Sequence, residues 1–343
     1  MAPKSNSIWT AIIVSALTTF ILYYALFSLF SQGVTSYGKP FNWAITHFKE
    51  HVLVITLLLS VIFLLRAWRY KILIEPIAIK GLKVRHSSYF SITAIRAALV
   101  DILPMRLGEV CFCVLLAQNH SINYRASITA VIFSTVFDFF TLLFLCLLFL
   151  AFSASEGGSF LGYLVVILVI VFAVCIFFQA LQSKALYNAL KLLKPNQPFL
   201  VKFHRLLLKL ITTIEKVSRI SHLSKVLLLS ILLRLLRVFT LLVVFISSLS
   251  YFLSNADSFS IMRQIFALLS SEFASALPIP NVAGLGVWEL GGVVTVTDNP
   301  EIQEAMLFSL VATSLMLKMV GYLLSAIIGT LYYLQNAFIK KLN

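Results

Sequence analysis

The sequence has few charged residues, and acidic ones are the scarcer kind. Asp, Glu, Lys and Arg make up 12% of the 343 residues, with 13 acidic against 27 basic side chains. Soluble domains carry about 25% charged residues. Hydrophobic residues make up 60% of the chain. The composition therefore excludes an ordinary soluble domain and predicts an all-α, polytopic integral membrane protein.

The sequence also lacks the residue patterns of the common enzyme and metal classes. Its four cysteines, Cys111, Cys113, Cys146 and Cys175, lie in apolar segments and match no zinc or redox spacing. It has no nucleophile elbow and no phosphate-binding glycine loop followed by Lys. The six histidines lie near the ends of apolar runs or in polar segments, where solvated roles are expected. We expect no enzymatic activity, no metal and no cofactor.

The net charge of +14 would suggest nucleic acid as the partner of a soluble protein. In a membrane protein, Lys and Arg gather in cytoplasmic loops, where they orient the chain and contact anionic headgroups. The expected partners are therefore membrane lipids with anionic headgroups, with a lipid-modifying enzyme as a candidate, and no nucleic acid. The oligomeric state stays open.

Six apolar stretches predict full membrane spans, at about 20 residues for each crossing. They cover residues 8–30, 52–65 with the basic and aromatic end at 66–71, 124–152, 160–178, 226–252 and 305–334. The Arg and aromatic side chains of residues 66–71 are interpreted as an interfacial cluster. Cations concentrate on one side of this arrangement, which predicts that both termini are cytoplasmic.

Two further apolar stretches are broken by proline and glycine. Residues 101–110 read DILPMRLGEV, and residues 276–292 read ALPIPNVAGLGVWELGG. Each has Leu-Pro, then Gly and Glu, then a short apolar run, a polar turn and a long apolar helix. Broken backbone at membrane depth is tolerated only where it is buried in protein or lines a polar cavity. Paired breaks of this kind indicate a transporter site built on an internal repeat.

The broken stretches are predicted to be re-entrant hairpins, with tilted spans as the alternative. With six full spans, residues 87–119 enter from the cytoplasmic face and residues 259–297 from the outer face, as an inverted repeat requires. We assign residues 1–343 to a single membrane domain, with repeat-like halves around residues 87–152 and 259–334.

Residues 182–225 contain nine Lys or Arg against one acid, Glu215. Apolar residues recur at helical spacing between residues 199 and 217. This pattern predicts a basic amphipathic segment on the cytoplasmic membrane surface. A plain positive-inside loop is the alternative, and both descriptions can hold.

Charged residues within the apolar and broken segments are the candidates for function. They are Arg96, Asp101, Arg106, Glu109, Asp138, Arg234, Arg237, Glu272, Glu289 and Lys318. Because a lone buried charge is costly, each should pair or face a wet cavity. Simpler roles are also open: Arg237 or Lys318 can extend toward the interface, and Asp138 can hold two helices together. Arg106 and Glu289 adjoin the breaks, which favours function.

A guanidinium binds phosphate bidentately, so Arg106 points to an anionic lipid headgroup. Glu109 and Glu289 are expected to hold Arg106 when no lipid is bound. All of the charges above except Lys318 are assigned to the substrate site. The breaks add Pro278, Pro280, Gly284 and Gly286, whose glycines would let backbone approach the headgroup.

The motifs LPMRLGE (103–109) and LPIP…GLGVWE (277–289) resemble those of the flippase-like membrane domain of bacterial lysylphosphatidylglycerol synthases. The resemblance covers nearly the whole chain. It marks seven motif residues, namely Arg106, Glu109, Pro278, Pro280, Gly284, Gly286 and Glu289. Residues 281–283, Asn-Val-Ala, differ from the family's usual Pro-Gly-Gly, and Trp288 stands where a small or basic residue is commoner.

The resemblance implies a lipid flippase of the bacterial cytoplasmic (inner) membrane. Its substrate would be an anionic phospholipid or a polyprenyl-linked lipid, moved between leaflets without ATP because no nucleotide motif is present. A non-transporting scaffold that presents lipid to a partner enzyme is the alternative. The soluble aminoacyl-transfer domain of the synthases is not expected, and neither is lipid aminoacylation. The lipid, the direction of movement and any coupling ion stay open.

Overall fold

The regular structure of the described residues is entirely helical. The computed structural model describes residues 38–77, 84–103, 107–120, 122–154, 223–253, 260–276, 286–294 and 300–342. Their helices are α1 Gly38–Thr46, α2 Phe48–Ile74, α3 His86–Ile102, α4 Leu107–His120, α5 Tyr124–Ala154, α6 Leu223–Phe252, α7 Ile261–Ala276, α8 Val287–Val293 and α9 Pro300–Leu342. The predicted all-α class is confirmed for this part of the chain.

Four of these helices are long and apolar enough to cross a membrane. The candidate spans are Phe48–Ile74, Tyr124–Phe149, Ser224–Phe252 and Glu301–Asn336. They overlap four of the six predicted spans, so the chain is a multi-pass membrane protein. The predicted spans at residues 8–30 and 160–178 lie outside the described residues, as does nearly all of the basic segment 182–225. The total of six spans therefore stays a prediction.

Both broken stretches contain a helix, a break and a second helix. The first break separates α3, which ends at Ile102, from α4, which begins at Leu107. The second separates α7, which ends at Ala276, from α8, which begins at Val287. Proline lacks a backbone N–H and disfavours helical geometry in the residue before it, which explains why both helices end one residue before a Leu-Pro pair. Long apolar helices, α5 and α9, follow in each case. The re-entrant course and the inverted repeat stay predictions.

Glycine lets the second helix of each pair lie against the backbone of the first. A Cβ atom built on Gly108 would lie 2.6 Å from the Cα of Val100 in α3. A Cβ atom on Gly291 would lie 2.8 Å from the carbonyl oxygen of Ser270 in α7. Neither space admits a side chain, so both helix pairs depend on small residues for their close packing.

The chain divides into two compact units. Of the described residues, the larger contains those within 38–65, 90–112 and 233–342, and the smaller contains those within 66–89 and 113–232. In the larger unit, α8 packs against α7 and α9, and α1 packs against α9. Its buried core includes Trp43, Leu59, Phe245, Leu268, Met306 and Leu310. The assignment of residues 1–343 to a single membrane domain stays a prediction.

Candidate functional site

The carboxylate of Glu272, in α7, accepts contacts from two neighbouring helices of the larger unit. Arg234 Nη1 of α6 donates a hydrogen bond to Oε2 at 2.8 Å, and Arg237 Nε lies 3.5 Å from Oε1. Trp288 Nε1 of α8 donates to Oε1 at 3.2 Å. Arg234 and Arg237 are three residues apart and so share one face of their helix. Glu272 thereby connects α6, α7 and α8.

Glu289 is fully buried at the start of α8. Its Oε2 accepts a hydrogen bond from the backbone N–H of Gly286 at 2.6 Å. Gly286 has a φ angle of 87°, in the left-handed region that favours glycine. The spacing of Gly and Glu in the second motif therefore has a local cause: the glycine turns the chain so that its N–H meets the carboxylate three residues later.

Lys318 of α9 interacts with carboxylates from both broken stretches. Its Nζ donates to Ser314 Oγ at 2.9 Å, one helical turn earlier. Burial disfavours the charged form of this side chain, and the carboxylates of Glu289, after the second break, and Asp101, just before the first, favour it. The ammonium group is also attracted by Glu272 and repelled by Arg237. The sequence analysis did not assign Lys318 to the site. The structure places it within electrostatic reach of four residues that were assigned to the site, namely Asp101, Arg237, Glu272 and Glu289.

Arg96 and Glu109 form a bidentate ion pair that joins α3 to α4. Arg96 Nε donates to Glu109 Oε2 at 2.6 Å, and Arg96 Nη2 donates to Oε1. The guanidinium lies 5.9 Å from the centre of the Phe112 ring, within the range of a cation–π contact. Glu109 was expected to hold Arg106, but Arg106 lies outside the described residues. The partner that the structure shows for Glu109 is Arg96.

Asp138 belongs to the smaller unit and pairs there with Arg69. Arg69 Nη1 donates to Oδ1 at 2.5 Å and Nη2 donates to Oδ2 at 2.9 Å. The same guanidinium donates to Ser134 Oγ at 2.5 Å and to Ser230 Oγ at 2.8 Å. Arg69 is fully buried, and its contacts with α5 and α6 were not anticipated from the sequence; its place in an interfacial cluster stays a prediction. A carboxylate in the middle of an apolar span needs a cation beside it. Asp138 thus indicated in the sequence that an Arg or Lys of another span, here Arg69, pairs with it.

The predicted site residues are thus distributed over two units and the undescribed breaks. Arg106, Pro278, Pro280 and Gly284 lie outside the described residues, and Asp138 lies in the smaller unit. Among the predicted intramembrane charges, those described in the larger unit are four cations and four carboxylates. They are Arg96, Arg234, Arg237, Lys318, Asp101, Glu109, Glu272 and Glu289. These charges balance, so an anionic ligand would compete with carboxylates that already neutralise the cations.

Comparison with known proteins identifies one family. The family model of the lysylphosphatidylglycerol synthase TM region matches residues 8–329. The match includes both broken stretches and every charged residue of the candidate site. No curated protein and no solved structure matches the chain.

Proposed function

We propose, since this chain belongs to the family of the lysylphosphatidylglycerol synthase TM region, that it moves a lipid with an anionic headgroup between membrane leaflets. The substrate class is an anionic phospholipid or a polyprenyl-linked lipid. The movement involves no covalent chemistry. The resemblance to the bacterial synthases favours the bacterial inner membrane, and the distribution of Lys and Arg along the sequence favours cytoplasmic termini.

The observation that carries this proposal is the set of charged residues within the apolar and broken segments of the larger unit. Charged side chains inside a membrane are costly and mark substrate or ion pathways. Here they come from both broken stretches, through Asp101 and Glu109 beside the first and Glu272 and Glu289 beside the second. Lys318 interacts with carboxylates of both. A charged headgroup that crosses the hydrocarbon needs such a polar environment, because a charge in hydrocarbon is costly in free energy, as it is for a charged side chain.

The breaks supply the remaining parts of the mechanism. Interrupted helices in membrane transporters direct freed backbone groups and helix ends toward a ligand near the midplane. In this chain, Arg106 and Gly284 lie in the breaks and Gly286 at the edge of one. We propose that Arg106 engages the headgroup phosphate and that the two broken stretches expose the site to each leaflet in turn. We propose movement without ATP, since the sequence contains no nucleotide-binding motif.

Lipid movement can be measured in proteoliposomes that contain phosphatidylglycerol with an NBD-labelled acyl chain. Dithionite added outside quenches the outer leaflet, and further quenching reports lipid that has moved from the inner leaflet. With the wild-type protein, dithionite should in time also quench the label that starts in the inner leaflet. Arg106→Gln and Glu289→Gln should abolish this second phase of quenching. Arg263→Gln is the matched control, since Arg263 is an exposed cation at the start of α7.

The three outcomes separate the candidate functions. The proposal of lipid movement would be overturned if dithionite quenched wild-type proteoliposomes no further than protein-free vesicles. If the protein still binds the lipid in that case, a scaffold that presents lipid to a partner enzyme becomes the better description. Normal movement in both variants, at matched protein-to-lipid ratio, would show that Arg106 and Glu289 are structural.

A further inference from the structure

The two arginines of α6 that lie beside Glu272 make unequal use of its carboxylate. Arg234 Nη1 donates to Oε2 at 2.8 Å, within the range of about 2.7–3.2 Å for such a bond. Arg237 Nε lies 3.5 Å from Oε1, beyond that range. The side chain of Arg237 is 35% exposed and that of Arg234 only 16%. Arg234 is therefore firmly bound within the protein, whereas Arg237 is held loosely.

The outer end of the Arg237 guanidinium has no acceptor among the described residues. Its polar partner there is Glu272, reached through Nε, and neither Nη1 nor Nη2 has a hydrogen-bond partner in this part of the chain. A guanidinium carries five N–H donors, and four of them belong to these two nitrogens. Donors in an apolar interior need acceptors. The outer end of Arg237 is thus available to a ligand.

Arg237 lies too deep in its helix for its charge to reach the membrane surface. It stands fourteen residues after the first residue of α6 and fifteen before the last. At about 1.5 Å per residue, it is roughly 22 Å from either end. The half-thickness of the hydrocarbon is about 15 Å, which is too far for the side chain to extend. The exposed part of the side chain must therefore meet water or a polar ligand.

The carboxylate beside Arg237 is fixed by donors from two other elements of the larger unit. Besides the bond from Arg234, Glu272 Oε1 accepts a hydrogen bond from Trp288 Nε1 of α8 at 3.2 Å. Glu272 itself is buried in α7. A carboxylate held in this way orients the guanidinium that rests against it, and an oriented polar group loses less entropy when a ligand binds.

We propose that Arg237 binds the phosphate of the lipid headgroup through Nη1 and Nη2, while Glu272 holds its Nε. This inference rests on the proposed function, because it names a residue that holds the substrate midway across the membrane. The two terminal nitrogens form a planar fork that matches two oxygens of one phosphate group. Arg237 is then a second phosphate contact besides Arg106. A phosphate at this depth belongs to a lipid, since it lies far from either aqueous surface.

The two arginines should differ in how they tolerate lysine. Arg237 needs the fork, which an ammonium group lacks. The bond from Arg234 to Glu272 comes from one nitrogen, Nη1, and an ammonium group can donate such a bond. Arg237→Lys should therefore weaken phosphate binding, whereas Arg234→Lys should retain it. Both variants keep the positive charge, so charge alone does not explain a difference between them.

Binding can be measured by native mass spectrometry of the full-length protein in detergent. The occupancy of dioctanoyl phosphatidylglycerol is followed as its concentration rises. Dioctanoylglycerol, which lacks the phosphate, is titrated in parallel and reports binding of the acyl chains alone. Inorganic phosphate is added in a third series as a competitor. The helical circular dichroism of each variant during thermal unfolding shows whether it is folded.

The wild-type protein should bind phosphatidylglycerol at concentrations at which it does not bind dioctanoylglycerol. Arg237→Gln should weaken phosphatidylglycerol binding about tenfold or more, as expected for loss of a charge-assisted hydrogen bond. Arg237→Lys should weaken it less, and Arg234→Lys and Arg263→Gln should bind as the wild type does. If Arg237→Gln fails to fold, the comparison of the two lysine variants still tests the fork.

Three results would overturn the inference. The first is unchanged phosphatidylglycerol affinity in folded Arg237→Gln, which leaves lipid movement itself untouched. The second is equal affinity in Arg237→Lys and Arg234→Lys. The third is inorganic phosphate that displaces phosphatidylglycerol at equal concentration, which would indicate a site for a free anion. Conversely, binding that depends on Arg237, together with no lipid movement in proteoliposomes, would support the phosphate contact and overturn the proposed transport.

Discussion

Replacing Asp138 by Asn should destabilise the smaller unit severely, because it leaves the charge of Arg69 buried without its counter-ion. Arg69 is fully buried and makes two ion-pair bonds to Asp138, at 2.5 and 2.9 Å. Removing one partner of a buried ion pair costs about 3–5 kcal/mol. The hydroxyls of Ser134 and Ser230 remain as neutral acceptors, but neither supplies a negative charge. We expect a loss of at least about 3 kcal/mol for Asp138→Asn.

The free energy of unfolding can be measured by titrating the detergent-solubilised protein with SDS and following its helical circular dichroism. The double variant Arg69→Met, Asp138→Leu should be more stable than Asp138→Asn, since apolar residues of similar volume often replace a buried ion pair without loss. Ser230 keeps a hydrogen bond in that variant, because its Oγ also donates to Val226 O at 2.9 Å.

A nearby surface pair provides the control for this measurement. Lys71 and Glu75 are four residues apart, with Nζ and Oε1 separated by 3.6 Å and both side chains partly exposed. Glu75→Gln should therefore cost no more than about 0.5 kcal/mol. The reasoning would be refuted if Asp138→Asn cost as little as Glu75→Gln, or if the double variant were less stable than Asp138→Asn.

Two further predictions concern packing and topology. Gly108→Ala should destabilise the protein by about 1–3 kcal/mol or more through overpacking, because the new Cβ would lie 2.6 Å from Val100 Cα; Gly321→Ala, where the nearest atom is 3.8 Å away, should change little in the same SDS titration. In a cysteine-free background, a cysteine at Ser155 should react with a membrane-impermeant maleimide added outside intact cells and one at Ser183 should not, since the cation distribution places only the first outside. The opposite labelling pattern would refute the proposed orientation.

Much of the fold could be predicted because its signals are local. Four of the predicted spans correspond to helices of the described chain, since about twenty apolar residues in succession specify a spanning helix with little influence from neighbours. The ends of α3 and α7 were also predictable, because Pro104 and Pro278 act on the residues directly before them. Both kinds of signal lie within a short stretch of sequence and need no knowledge of tertiary contacts.

The partners of the charged residues could not be predicted in the same way. Asp138 required a cation, but the sequence does not say which span lies beside α5, so Arg69 was placed at the interface. Lys318 was not assigned to the site, and an extension toward the interface was one open role for it, as it was for Arg237. The interaction of Lys318 with Glu289 and Asp101 depends on how α9 packs against elements distant in sequence.

The conformational role of Gly286 was likewise not visible in the sequence. The glycine was expected to let backbone approach the headgroup, a use that stays a prediction. Its φ of 87° and the hydrogen bond from its N–H to Glu289 are properties of backbone geometry. A sequence shows that glycine is present but not which of its properties a position uses.

The bonds of Glu272 to two neighbouring helices have a consequence for how the protein is made. Helix α6 carries Arg234 and Arg237, and each arginine at the centre of a helix costs about 2.5–3.5 kcal/mol at the translocon. Its many leucines offset that cost, so α6 can enter the bilayer alone. Helix α7, which is synthesised after α6, carries the carboxylate that the arginines need. We therefore expect α7 to form its ion pairs once both helices are in the membrane, and α8, whose Trp288 donates to Glu272, to complete the assembly. The order of these helices in the chain thus predicts that the positive charge of α6 meets this carboxylate only when the next segment has been inserted.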